Sequence, residues 1–319
     1  MNMSIKILGT GYYVPERTVT NDELSQYVDT NDEWITKRVG VRERHVSETE
    51  TAVDFAVKAS EDAIKSSGTS VDEIDLIIAA TISSDSICPT VAGAVGQKIG
   101  AHCPAFDINS ACSGFLFALD TAVSFISRGE MKNVLVIGSE RLSKLLDWTD
   151  RSTCVIFGDG AGACVITQGD GYLASRLFTQ GGNDVIEIPS DGGASPFFKG
   201  EKKAPFILMQ GQETFKFAVN RIVEDIKYVA DKAGISLDEI DHVVPHQANI
   251  RIIDFASKRL GIPNGKFFVN IDKYGNTSSA SVPIALAELD RSGKLKRGDI
   301  VALTAFGGGL SSAACIIKW

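Results

Sequence analysis

Short runs of consecutive apolar, mostly β-branched residues alternate along the chain with longer stretches of helical spacing, and this order is written twice. Leu76-Ile-Ile-Ala-Ala80 follows Gly68-Thr-Ser-Val-Asp-Glu-Ile-Asp75, and His242-Val-Val-Pro245 follows Gly234-Ile-Ser-Leu-Asp-Glu-Ile-Asp241. Asp75 and Asp241 stand 166 positions apart. So do Asn133 and Asp299, which open the apolar runs Asn133-Val-Leu-Val-Ile-Gly138 and Asp299-Ile-Val-Ala-Leu-Thr304. The helical segment from Phe55 to Lys65 is echoed, more loosely, from Phe217 to Lys227. Register kept over such a distance marks an internal duplication. Each copy reads as helix, turn, strand, small-residue loop, helix and strand, which predicts an α/β protein with a mostly parallel sheet covered by helices. The tight turn Thr167-Gln-Gly-Asp-Gly171 places the boundary near residue 170, giving halves 1–170 and 171–319. The stretch from Gln180 to Pro205 is the least periodic and is expected to be a surface loop.

Composition narrows the function classes. A chain of 319 residues with 44% hydrophobic content can bury large cores. A net charge of −8 argues against a nucleic-acid partner, since neutralising phosphates needs a surplus of Lys and Arg. No apolar run approaches the length of a bilayer span and the start carries no leader pattern, so a cytoplasmic protein without membrane association is expected. The six cysteines form no C-x-x-C pair and no His cluster has ligand spacing, so neither a disulfide framework nor a metal site is signalled.

Four places could carry chemistry. Cys112, in Asn109-Ser-Ala-Cys-Ser-Gly114, directly precedes the apolar helix Phe115–Ile126, and unpaired N–H groups at a helix start favour a thiolate. The same context suits a small core cysteine equally well. His246, in Val243-Val-Pro-His-Gln-Ala-Asn249, stands past a strand and before the amphipathic helix Ile250–Leu260, where α/β folds gather their sites. His45, His102 and His242 lack such support and read as structural. Asn276, in Lys273-Tyr-Gly-Asn-Thr-Ser-Ser-Ala280, is explained by turn geometry when taken alone. Ala305-Phe-Gly-Gly-Gly-Leu310 follows a strand and lets backbone N–H groups approach a ligand oxygen.

Together these motifs resemble the β-ketoacyl-acyl-carrier-protein synthase III family, along with Gly9-Thr-Gly-x-Tyr-x-Pro15, Asp32-Glu-Trp-Ile35, Gly40-Val-Arg-Glu-Arg-His45 and Phe157-Gly-Asp-Gly-Ala-Gly162. The resemblance runs essentially end to end. It implies a thiolase-like, duplicated five-layer αβαβα fold, a homodimer, and decarboxylating condensation of a short acyl-CoA with malonyl-acyl carrier protein to start fatty-acid synthesis. Cys112 would carry the acyl group, with Cys112 and Gly308 supplying oxyanion N–H groups, and His246 and Asn276 would stabilise the malonyl enolate. Trp34, Arg38, Arg151 and Asn249 would bind CoA, a substrate, and no cofactor is implied. Lys216, Arg251, Lys258 and Arg259 would form a basic rim for the acidic carrier protein.

Three departures bear on the pocket. Cys88 stands where relatives often have a Phe that reaches the partner's acyl pocket, so a longer or branched primer is expected to fit. Leu310-Ser-Ser-Ala313 replaces Phe-Thr-Trp-Gly, and Ser152 replaces a glycine. The alternatives are a starter-unit condensing enzyme or acyltransferase of a specialised, polyketide-like pathway, and a non-catalytic subunit that keeps the fold. Retention of Cys112, His246 and Asn276 together argues against the last.

Overall fold

The computed structural model describes residues 4–190, 196–197, 199–201 and 203–319. Nine strands build two sheets. The first contains β1 (Ser4–Tyr13), β2 (Leu76–Ala80), β3 (Ala105–Ile108), β4 (Asn133–Glu140) and β5 (Gly160–Gly169), in the spatial order β1-β5-β4-β2-β3. The second contains β6 (Tyr172–Thr179), β7 (His242–Pro245), β8 (Ile300–Gly307) and β9 (Ser311–Lys318), ordered β6-β9-β8-β7. The two orders are the same, strand for strand, with matching parallel and antiparallel neighbours. The counterpart of β3 in the second half shrinks to one parallel bridge between Val243 and Phe267.

Six longer helices complete the duplication: α1 (Ala52–Ser67), α2 (Val91–Ile99) and α3 (Gly114–Ser127) in the first half, α4 (Gly211–Ala233), α5 (Ile250–Leu260) and α6 (Ser281–Arg291) in the second. Local chemistry sets their ends. Thr51 and Asp54 form a capping box at the start of α1, and Gly68, at φ +69°, closes it in a left-handed turn that side chains disfavour. The repeated Ser-x-Asp-Glu motif has the same use in both halves. Ser70 with Glu73, and Ser236 with Glu239, box the short 3-10 turns that lead into β2 and β7.

Burial sorts these elements into five layers. Phe115, Leu116 and Leu119 of α3 and Val282, Leu286 and Leu289 of α6 lie between the sheets, packed on Ile78 and Val136 from one and Val244 and Leu303 from the other. Each such Leu, Phe or Ile contributes roughly 1.5–3 kcal/mol. α1 and α2 cover the outer face of the first sheet, and α4 and α5 that of the second. The layering is the expected thiolase-like αβαβα. Helices α3 and α6 are therefore apolar nearly all round, and their amino ends meet at one place.

Candidate active site

Among the described residues, only Ala111 (φ +46°) and Ser278 (φ +49°) are non-glycine residues with left-handed backbone. They occupy equivalent points of the two halves. Each opens a 3-10 turn, Ala111–Ser113 and Ser278–Ala280, that leads into a central helix. Such conformations cost of order 1–3 kcal/mol and persist where the surroundings impose them. The two turns pack against each other, and the first also packs on the end of β8. This brings Cys112, Asn276 and Gly307 together from sequence positions far apart.

The approach of Gly307 to Cys112 is close enough that a Cβ there would fall 2.7 Å from Cys112 N. Ser311 ties the same parts with its hydroxyl, bonded to Gly308 O at 2.8 Å, Ser113 Oγ at 2.8 Å and Ser110 O at 3.2 Å. Ser312, the next residue, points the other way, to Asp225 Oδ2 at 2.7 Å and Arg221 Nε at 3.1 Å. The altered Leu310-Ser-Ser-Ala313 segment thus anchors the glycine turn on both sides of β9.

His246 follows β7, its N–H donating to Thr304 O at 2.8 Å and its ring edge-on to Phe306 at 5.2 Å. Nδ1 lies 2.6 Å from Ser281 Oγ. Burial pushes the imidazole down to about 3, so it is neutral at physiological pH. The Asn276 backbone bridges Phe157, donating to Ile156 O at 2.9 Å and accepting from Gly158 N at 3.0 Å. Its Oδ1 accepts from Ser278 N at 2.8 Å, which leaves the amide N–H₂ as the free-facing donor end.

Cys112 departs from the thiolate expected at a helix start. Burial raises its thiol from 9.0 to about 12, with the Glu140 carboxylate acting in the same direction. The nearby Ser278 hydroxyl, which is buried with no hydrogen-bond partner among the described residues, acts to lower it. Desolvation wins, and the resting group is a thiol.

All three side chains line one cavity of about 1450 Å³, which also takes in Trp34, Arg38, Ser152, Asn249, Lys216, Arg251 and Gly308. Trp34 has Arg38 5.6 Å and Arg151 5.4 Å from its ring, so both predicted arginines flank the indole. Arg151 itself is outside the cavity wall and pairs with Asp29 at 3.3 Å. Asn249 caps α5, accepting from Arg251 N at 2.9 Å and donating to Arg38 O at 3.0 Å. The Ser152 hydroxyl is held by Asp150 at 2.8 Å. Lys258 and Arg259 lie on the exposed face of α5, apart from the cavity, and Lys216 pairs with Glu213 at 2.8 Å.

Cys88, expected at a partner's acyl pocket, is exposed and lies apart from this chain's own cavity. One expectation changes. The stretch expected as a surface loop is partly a cavity wall: Ile186 and Glu187 pair with Leu208 and Met209, and Ile186, Ile188, Pro189 and Pro205 face the cavity. Residues 191–195, 198 and 202 of that stretch lie outside the described residues.

Sequence reasoning missed Ser281, Ser311 and Glu140. Glu140 is fully buried at the end of β4 and accepts from Ser279 Oγ at 2.7 Å, Ile82 N at 3.1 Å and the Ser83 hydroxyl, while burial raises its pKa. A carboxylate closing the run Asn133-Val-Leu-Val-Ile-Gly-Ser-Glu140, whose apolar part reads as a buried strand, was the available signal. His45 Nδ1 is hydrogen-bonded with Pro15 O, and His242 faces Asp299.

Layer order, pseudo-twofold turns and a cysteine at the amino end of a central helix define the class, a thiolase-fold condensing enzyme. The family follows from comparison. The 3-oxoacyl-[acyl-carrier-protein] synthase III model matches residues 106–181, and its C-terminal counterpart residues 230–319. The β-ketoacyl-[acyl-carrier-protein] synthase III of Clostridium acetobutylicum is 49% identical, covering 99% of both chains. The crystal structure of the Aquifex aeolicus 3-oxoacyl-[acyl-carrier-protein] synthase III superposes with a TM-score of 0.93 at 45% identity, over 99% of this chain and 100% of that one. The priming β-ketosynthase of the R1128 polyketide pathway reaches 0.92 at 34% identity, over 99% and 96%. The chain belongs to the β-ketoacyl-[acyl-carrier-protein] synthase III family, acyl-transferring condensing enzymes of fatty-acid synthesis. No helix among the described residues is long and apolar enough to cross a membrane.

Proposed function

We propose that the chain condenses a short acyl-CoA primer with malonyl-acyl carrier protein through an acyl-Cys112 intermediate. The observation that carries this is the single cavity shared by half-buried Trp34, by exposed Arg38 and Arg251 and by buried His246 and Asn276, with Cys112 among its walls. Trp34, with Arg38 and Arg151 beside it, and Asn249 would hold CoA, while Lys216, Arg251, Lys258 and Arg259 would receive the acidic carrier.

In the first step Cys112 Sγ bonds to the acyl carbon, the CoA thioester breaks, and the thiol proton ends on the departing CoA sulfur. The N–H groups of Cys112 and Gly308 stabilise the oxyanion. In the second, the malonyl carboxylate leaves as carbon dioxide and its bonding electrons form an enolate. Neutral His246 and the Asn276 amide donate to the enolate oxygen. The enolate carbon attacks the acyl carbonyl, the bond to Cys112 Sγ breaks, and the departing thiolate takes up one proton from solvent water. Decarboxylation supplies the carbanion, so neither a strong base nor a cofactor is called for.

A homodimer completes the reading: the exposed loop carrying Ile87 and Cys88 would reach the partner's cavity, where a small residue leaves room for a longer or branched primer. Similarity to the R1128 priming β-ketosynthase favours a second reading, a starter-unit enzyme of a specialised pathway. Intact-protein mass after brief exposure to acetyl-, isobutyryl- and octanoyl-CoA tests the first step. One acyl adduct, lost in Cys112→Ala, is expected; no adduct with any donor would overturn it. Condensation with malonyl groups on fatty-acid and polyketide carrier proteins then separates the two readings.

A further inference from the structure

We infer that Ser281 is a positioning residue that fixes the tautomer of His246, so that the imidazole enters the reaction as a hydrogen-bond donor. The inference rests on the proposed condensation and adds the group that sets the role of His246 within it. Ser281 is the first residue of α6, one position past the cap, where a serine side chain ordinarily bonds the helix's free N–H groups. Here the cap position is Ala280, which offers no side-chain bond, and the Ser281 hydroxyl serves another purpose.

The Ser281 side chain is buried, and its oxygen has two partners. Gln247 N–H donates to it at 3.1 Å, and His246 Nδ1 lies 2.6 Å away. A hydroxyl has one proton to give. The Gln247 amide can only donate, so it cannot receive that proton, and no other acceptor for Ser281 occurs among the described residues. The proton therefore points to Nδ1. Nδ1 is then the bare nitrogen, and Nε2, on the opposite side of the ring, carries the hydrogen.

The Gln247 amide is itself held in place. Its side chain donates to Pro245 O at 2.9 Å and Phe268 O at 3.1 Å and accepts from Asn270 N at 3.2 Å. The turn after β7 is thus pinned on three sides, and the backbone N–H that orients Ser281 cannot swing away. Among the described residues His246 has no carboxylate partner, so none draws it toward the imidazolium. The consequence is a division of labour: His246 can stabilise an enolate oxygen from Nε2–H but cannot take the Cys112 proton there.

The test uses the full-length protein with ¹⁵N-labelled histidine at neutral pH, His246→Asn assigning the His246 signals among the four histidines. The expected spectrum shows a pyridine-type Nδ1 and a pyrrole-type Nε2; the reverse pattern overturns the inference. In parallel, Ser281→Ala should slow malonyl-thioester decarboxylation by about 10–100-fold, the scale on which removing the partner that orients a metal-bound His acts, with Cys112 acylation unchanged. Ser281→Thr should restore the rate and the parent's nitrogen shifts. Normal decarboxylation in a folded Ser281→Ala protein would refute the role. If that variant does not fold, the spectrum of the parent decides. Failure of the parent to acylate Cys112 would instead count against the condensation itself.

Discussion

Alanine at Gly307 should cripple acylation of Cys112, whereas alanine one residue later should be tolerated. A Cβ on Gly307 would lie 2.7 Å from Cys112 N and 2.9 Å from Cys112 Cβ, against an ordinary limit near 3.4 Å. Neither atom is the end of a flexible side chain. The end of β8 and the nucleophile turn must separate by about 0.5–0.7 Å, and overpacking of this kind costs about 1–3 kcal/mol of stability. Gly307 is outside the left-handed region, so its backbone admits alanine and the whole effect is steric. The larger penalty falls on rate. A shift approaching 1 Å in a reacting group, or loss of one oxyanion donor, each costs about 10²-fold or more. At Gly308 a Cβ would meet Ala111 and Ile186 at 3.5 Å, an ordinary contact, and the N–H is retained. Quenched-flow mass measurement of the acyl adduct, with thermal melts to verify folding, gives the comparison. Gly307→Ala acylating within about threefold of the parent, equivalent to under 1 kcal/mol of barrier, would refute the placement of the glycine turn against the nucleophile.

Asn276→Asp keeps an oxygen at Oδ1 but replaces the amide donor by negative charge. Acylation of Cys112 should survive while decarboxylation falls by about 10²–10³-fold, the worth of an oxyanion donor, so the acyl-enzyme accumulates in mass spectra; equal loss of both steps would contradict the assigned role. His246 gives a pH prediction. Its folded value near 3 lies below its unfolded 6.5, so the unfolded chain binds the extra proton between them and stability falls as pH drops through that window. Glu140, Asp107, Asp159 and Asp225 are raised by burial and act in the opposite sense, so the comparison is with His246→Asn. In urea denaturation at pH 7, 5.5 and 4, the parent should lose up to about 1.36 kcal/mol per pH unit relative to that variant below 6.5. A constant difference would mean that His246 takes up protons in the folded state.

The amino-acid sequence by itself determined the duplication, because the spacing of apolar runs and the paired Ser-x-Asp-Glu turns are local signals repeated at one offset. Position before a helix drew attention to Cys112 and His246, while Asn276 and the glycine turn, which joins two strands, stood out only through the family resemblance of the four motifs taken together. What those groups are chemically was decided only by the tertiary structure. The protonation of Cys112 depends on how much water the surrounding layers remove, and burial there outweighs the helix terminus that sequence position alone suggests. The roles of Ser281, Ser311 and Glu140 exist only because two halves of the chain are folded onto one another, bringing Ser113 beside Ser311 and Ser279 beside Glu140. Likewise, the aperiodic segment after Gln180 reads as surface because its apolar residues follow no period, yet Ile186 pairs with Met209, some twenty positions on, and lines the cavity beside Ile188. Local pattern fixes which elements form, while desolvation and hydrogen-bond partnership are set by neighbours that are remote in sequence.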